Sequence, residues 1–173
     1  MNKWYMLTLV GTDKPGIVAA VTRALFDLGM NLGETSMIRL GDHFTVMMMV
    51  GGDNSASDIE EAMAATLESL ELCMHIDEIE AHLHRHLIPN IQITVSGADR
   101  AGIVSDVTTK LLEAGVNIID LESDVAGSED QPVYIMQIGG VTDVSVEEVS
   151  ESVAGLEEDG VSIRVSAIDT YLA

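Results

Sequence analysis

A short motif with two glycines and a charged pair of residues occurs twice in the chain. It reads GTDKPGIV from Gly11 to Val18 and GADRAGIV from Gly97 to Val104. Each copy stands between a short apolar run and apolar residues at helical spacing, which predicts a tight turn from a strand into a helix. The first backbone N–H groups of a helix have no partner within it and suit a carboxylate. We therefore predict that these turns bind a small polar molecule and do not catalyse a reaction.

Three residue types recur around the two turns, in pairs: Asp13 and Asp99, Gly16 and Gly102, Asn31 and Asn117. The aspartates would face an ammonium group, and the glycines leave room for a ligand to approach the backbone. Each asparagine offers a donor and an acceptor, which can serve both ends of a zwitterion. The alternative is purely structural, with the aspartates capping the helices and the asparagines bonding the turns.

Each copy of the motif opens the same series of elements: strand, helix, strand, strand, helix, strand. This order is the ferredoxin-like plan, an α+β fold in which an antiparallel four-stranded sheet carries two helices on one face. We assign residues 1–83 to a first domain, 84–89 to a linker and 90–173 to a second domain. Capping-box spacing predicts helix starts at Ser57 with Glu60 and at Ser145 with Glu148. Residues 126–132 are expected to form a long acidic hairpin loop.

The motif resembles the ACT domain, whose pattern is D-x-P/A-G-I-V followed by an aliphatic helix ending in G-x-N-I/L. Here it reads DKPGIV with GMNL, and DRAGIV with GVNI. ACT domains are regulatory modules that usually bind amino acids at the interface between two domains. The resemblance places ligand contacts on the loop before the first helix and on the asparagine that opens the next strand: Thr12, Asp13, Gly16, Asn31, Ala98, Asp99, Gly102 and Asn117.

Two such domains in tandem resemble the glycine cleavage system transcriptional repressor group. That resemblance implies a regulator of transcription, with glycine as the small amino acid and a transcriptional activator as the protein partner. The two copies differ, because Pro15 becomes Ala101 and Thr12 becomes Ala98. We therefore predict that the first turn is the better preorganised of the two.

The charge of the chain limits its partners. Eight Lys and Arg against 29 Asp and Glu give a net charge of −21, so we predict no direct binding to nucleic acid or to an anionic membrane. A regulator without a catalytic centre or a DNA-binding element would bias a protein partner. The bare sheet faces or edge strands also need cover, for which a second copy in a homodimer is one candidate. A single cysteine, no signal peptide and no membrane-spanning run predict a cytoplasmic protein.

Other chemistry finds less support in the sequence. It contains no nucleophile elbow and no phosphate-binding loop, so we predict neither an enzyme nor a cofactor. His82, His84 and His86 alternate and would share one side of a strand, which keeps a metal-binding protein as an alternative. An interaction scaffold without a ligand site is another. The methionine run 47–49 is interpreted as strand packing.

Overall fold

The computed structural model describes residues 3–80, 87–98, 101–128, 131–157 and 161–168. The chain divides into two compact units, Met1–His84 and Arg85–Ala173. Each unit is described by itself. Within the described residues, no helix is both long enough and apolar enough to cross a membrane.

The first unit contains two helices and four strands, in the predicted order. They are β1 (Lys3–Thr12), α1 (Ile17–Asp27), β2 (Asn31–Leu40), β3 (His43–Gly52), α2 (Ala56–Leu70) and β4 (Cys73–Ile79). The sheet order is β2-β3-β1-β4, with antiparallel neighbours throughout. The two inner strands are thus β1 and β3, and β2 is an edge strand.

The second unit repeats this plan. Its elements are β5 (Ile91–Ala98), α3 (Ile103–Glu113), β6 (Asn117–Ser128), β7 (Gln131–Val141), α4 (Val146–Val153) and β8 (Val161–Ala167). A short 3₁₀ turn, Ala154–Leu156, follows α4. The sheet order is β6-β7-β5-β8, again antiparallel. The predicted fold class, two ferredoxin-like α+β domains in tandem, is confirmed.

One face of each sheet is buried beneath its two helices. In the first unit Leu7 and Leu9 of β1 meet Leu25 of α1, and all three are fully buried. In the second unit Ile93 and Val95 lie in the equivalent core. Strand side chains alternate between faces, so the residues between these positions point to the other side of the sheet. Among the described residues, that side carries no helix of its own unit.

The capping box of α2 lies two residues earlier than predicted. Ser55 is the N-cap, its hydroxyl accepts a hydrogen bond from the Asp58 N–H at 3.2 Å, and the Asp58 carboxylate accepts one from the Ser55 N–H at 2.7 Å. Ser57, predicted as the cap, instead lies inside the helix. The prediction of Ser57 with Glu60 was therefore wrong, because both pairs have the same spacing. The predicted box of Ser145 with Glu148 at α4 is confirmed.

The predicted loop 126–132 was also wrong. β6 continues to Ser128 and β7 begins at Gln131, with Ala126 opposite Val133 and Gly127 opposite Pro132. Residues 126–128 and 131–132 are therefore paired strand and not loop, because pairing between β6 and β7 satisfies their backbone groups, and Glu129 and Asp130 lie outside the described residues.

The position of the α2 cap is open to a direct test. We expect Ser55→Ala to lower the free energy of unfolding by about 1 kcal/mol, because it leaves a first-turn N–H without its acceptor. Ser57→Ala is the matched control and should change that energy by less than about 0.5 kcal/mol, as ordinary surface substitutions do. Urea unfolding of both variants measures the difference, and equal effects would contradict the assignment.

The same cap predicts a pH dependence. Hydrogen bonds from the Ser55 hydroxyl and N–H lower the pKa of Asp58 below its ordinary value of 3.8. Folding therefore favours the ionised carboxylate, and this stabilisation is present above pH 3.8 and is lost as the pH falls through the folded-state pKa. We expect Asp58→Asn to destabilise the protein at neutral pH and to have a smaller effect in acid. Unfolding curves at both pH values test this, and an effect that grows in acid would refute it.

Candidate functional site

Helices α1 and α3 both begin at a glycine in the left-handed conformation. Gly16 has φ 91° and Gly102 has φ 92°. Glycine adopts this conformation without the steric penalty that a side chain brings. A Cβ at either position would meet no atom within 4 Å. The glycines are therefore required by the backbone, and the space beside each helix start is open.

At both of these helix starts the N-cap residue is a glycine, which has no side chain to cap the helix. The first intrahelical bonds run from the Ala20 N–H to the Gly16 carbonyl and from the Asp106 N–H to the Gly102 carbonyl, both at 2.9 Å. The N–H groups that precede them in the first turn point out of the helix end. Helices α2 and α4 instead begin with complete capping boxes. The two motif turns thus present donors and a positive dipole end that the other two helices satisfy internally.

Asp13 lies in the first turn, but it does not cap α1. Its carboxylate accepts from the Arg39 guanidinium, with 3.0 Å between Oδ2 and Nε, and its N–H donates to the Asp42 carbonyl at 2.8 Å. The capping alternative for Asp13 is therefore wrong. A ligand ammonium group that binds this carboxylate would either share it with the Arg39 guanidinium or displace that guanidinium.

Two basic residues beside the first turn were missed in the sequence. Lys14 forms an ion pair with Glu71, and its hydrogen bond to that carboxylate lowers the pKa of Glu71. Arg39 lies at the C-terminal end of β2 and forms an ion pair with Asp13. Lys14 is inside the motif and could have been noticed, whereas Arg39 is brought close only by strand pairing. In the second unit the strand register places Val125 at the position of Arg39, so that turn lacks the equivalent guanidinium.

The predicted asparagines lie at the opposite end of each sheet from the turns. Thr12 is opposite His43 and Asn31 is opposite Gly51, eight residues apart on β3. At about 3.3 Å per residue, this is a distance of roughly 26 Å. Within the first unit, therefore, Asn31 and the turn do not form one site. Asn31 is exposed, as are Thr12, Asp13 and Gly16.

The second unit has the same separation. Ala98 is opposite Val133 and Asn117 is opposite Val141 on β7. Asn117 is exposed and lines an open cleft of about 350 Å³ between α3 and the start of β6, and Thr108, Thr109 and Leu112 form its helix wall. Asp99 lies outside the described residues, as do His82, His84 and His86. Among the described residues no group of three His, Cys, Asp or Glu side chains that could hold a metal ion comes together.

Comparison with known proteins adds family evidence to this geometry. A family model described as the ACT domain matches residues 5–77 and 90–166. The glycine cleavage system transcriptional repressor of Escherichia coli is 25% identical over 129 residues, which cover 74% of this chain and 68% of that protein. A UPF0237 protein of Corynebacterium diphtheriae is 34% identical over 74 residues, 41% of this chain and 83% of that protein.

Two solved structures show the same fold over nearly the whole chain. A protein of unknown function from Galdieria sulphuraria has a TM-score of 0.78 at 22% identity, covering 97% of this chain and 99% of that one. A candidate glycine cleavage system transcriptional repressor has a TM-score of 0.73 at 18% identity, covering 98% of this chain and 99% of that one. Both support the tandem arrangement of two such domains as a fold.

The geometry of the first turn predicts how it responds to substitution. We expect Gly16→Ala to lower the free energy of unfolding by about 1–2 kcal/mol, because an alanine in the left-handed region is strained even where space is open. Gly16→Asn is the matched control and should destabilise less, because asparagine tolerates this conformation. Urea unfolding measures both. Equal losses would show that side-chain volume, and not backbone conformation, determines the residue at this position.

Proposed function

Because the chain belongs to the ACT-domain family, we propose that it is a regulatory protein that senses a small amino acid and acts through a protein partner. It is related to the glycine cleavage system transcriptional repressor of E. coli. The finer part of the proposal is that it regulates transcription in the same manner, with glycine as the first ligand to test.

The observation that carries this proposal is the contrast between the helix starts. α1 and α3 have glycine N-caps, which provide no capping side chain, whereas α2 and α4 are closed by capping boxes. An anion such as an amino-acid carboxylate is stabilised at an uncapped helix start by hydrogen bonds and by the helix dipole. The two uncapped starts are also the two copies of the motif.

The turn at Thr12, Asp13 and Gly16 would hold the carboxylate end of the ligand. Asn31 lies roughly 26 Å from this turn along the same sheet, estimated from the strand rise, so one small ligand would not contact both within the first unit. The second turn, at Ala98, Asp99 and Gly102, would act in the same way but without the guanidinium of Arg39.

The net charge of the chain favours a protein, and not DNA, as the target of its regulation. Its net charge of −21 disfavours contact with the phosphate backbone of DNA. We propose that ligand binding shifts the protein between states that differ in affinity for a transcriptional activator. The effect of ligand on partner affinity and of partner on ligand affinity must then be equal.

The ligand proposal is tested by calorimetric titration and thermal unfolding with a panel of amino acids that includes glycine. A ligand at 100 times its dissociation constant should raise the free energy of unfolding by about 2.7 kcal/mol. We expect Asn31→Ala and Asn117→Ala together to weaken binding at least about tenfold, which corresponds to 1.4 kcal/mol. Thr35→Ala, an exposed change within β2 away from either end, is the matched control and should bind as the unchanged protein does.

Three results would contradict this proposal in different ways. Binding that survives loss of both asparagines would exclude them from the site. No response to any amino acid, with a response to zinc or nickel that disappears on replacing His82, His84 and His86, would favour the metal-binding alternative. Partner binding that no metabolite alters would favour an interaction scaffold.

A further inference from the structure

The side of the first sheet that faces away from α1 and α2 carries side chains that bind soft metal ions. We call this side of a sheet its open face. Along β3, Met48 is fully buried in the core, so its neighbours Met47 and Met49 point to the open face. Met47 is 45% exposed and Met49 is half-buried. The methionine run therefore packs into the core only at Met48, and its other two thioethers are accessible at the surface.

Thr8 of β1 lies at the centre of these side chains. It is directly opposite Met47 on one side and directly opposite His75 on the other. Side chains that are directly opposite lie about 5 Å apart at Cβ, and diagonal neighbours about 7–8 Å apart. The next residue on the same face of a strand is about 7 Å away. The neighbours of Thr8 on the open face therefore include five side chains with sulfur or imidazole groups: Met6, Met47, Met49, Cys73 and His75.

The imidazole of His75 is oriented by a carboxylate on the same strand. Its Nε2 lies 3.1 Å from Oδ2 of Asp77. When Nε2 carries the proton for this contact, Nδ1 is the free ring nitrogen. A carboxylate bonded to the second nitrogen is the usual partner of a metal-binding imidazole. Cys73 lies two residues before His75 on β4 and is exposed, so a thiol and an imidazole occupy alternate positions of one strand.

The second sheet shows that the fold does not require these side chains. Its strands pair in the same register around Thr94, which is opposite Gln137 and Arg164. The five matching positions there carry neither sulfur nor imidazole. Met6 corresponds to Gln92, Met47 to Gln137, Met49 to Gly139, Cys73 to Ser162 and His75 to Arg164. The soft ligands are therefore a property of the first unit, and in the second unit a cation occupies the position of the imidazole.

We propose that the open face of the first unit binds one soft monovalent metal ion, of the class of Cu(I) and Ag(I), above Thr8. Thiolate and thioether ligands select Cu(I), whereas Mg²⁺ and Ca²⁺ bind through oxygen. Thr8 is small and leaves space between Met47 and His75. Methionine is unbranched and has three rotatable bonds, so its thioether can turn toward an ion.

Two simpler interpretations of the open face account for only part of it. An apolar packing surface has no need of a thiol at Cys73 or an imidazole at His75. An ordinary polar surface has no need of three methionines. A soft-metal site uses all five side chains, and it shares no residue with the proposed amino-acid site.

The proposal is tested by calorimetric titration of the reduced full chain with Ag(I) in chloride-free buffer. We expect one ion to bind per chain. Met6→Leu and Met47→Leu, combined in one chain, keep the apolar volume and should weaken binding at least about tenfold, because even the outer-shell partner of a metal ligand contributes about 10- to 100-fold. Met37→Leu is the control, because Met37 is 57% exposed and pairs with buried Val46 on the helix side of the sheet. It should leave the affinity unchanged, and circular dichroism should show that all variants are folded.

Four results would overturn the proposal. The first is no binding of Ag(I) by the folded protein. The second is unchanged affinity in the double methionine variant with binding lost in Cys73→Ser, which would show that the thiol alone holds the ion. The third is equal weakening by Met37→Leu. The fourth is loss of binding when only His82, His84 and His86 are replaced, which would assign the ion to that segment.

Nuclear magnetic resonance of isotope-labelled methionine methyl groups locates the ion independently of affinity. One equivalent of Ag(I) should shift the methyl signals of Met6 and Met47 and leave that of Met37 in place. A shift of Met37 without a shift of Met47 would place the ion elsewhere and would refute the proposed site.

Discussion

The burial of one face of each sheet under two helices is the constraint on which the rest of each unit depends. Because side chains alternate along a strand, burying Leu7 and Leu9 in the core sends Thr8 and Val10 to the opposite face. A helix that covers this core must begin at one end of the sheet and finish at the other. The motif turn before α1 and the asparagine after it are therefore separated by the length of the sheet, although only 18 residues separate Asp13 from Asn31 along the chain.

The four helices satisfy their first N–H groups in two ways. Helices α2 and α4 use a serine and an acidic residue three positions later, which closes the helix start within the chain. Helices α1 and α3 begin instead at a left-handed glycine, which provides no capping side chain. Exposed N–H groups are satisfied by water at little cost. A ligand that provides a carboxylate can take the place of that water without any rearrangement of the core.

The fold could be predicted from the sequence because it depends on local periodicity, and the glycines of the turns could be predicted because their spacing repeats. Cap positions are less determined: Ser55 with Asp58 and Ser57 with Glu60 have the same spacing, and only the structure shows which pair starts the helix. The contact of Arg39 with Asp13 depends on strand register, which no local pattern reveals. The separation of Asn31 from the turn depends on the direction in which α1 crosses the sheet.

The two units have matching buried positions and differ at positions outside the core. Val21 and Val107, each fully buried, occupy matching positions in α1 and α3, whereas Met47 and Gln137 differ on the open faces. In the first unit, Thr12 of the motif turn is the last residue of β1, an inner strand whose Leu7 and Leu9 are fully buried. The proposed ligand contact is therefore attached directly to the core of its unit.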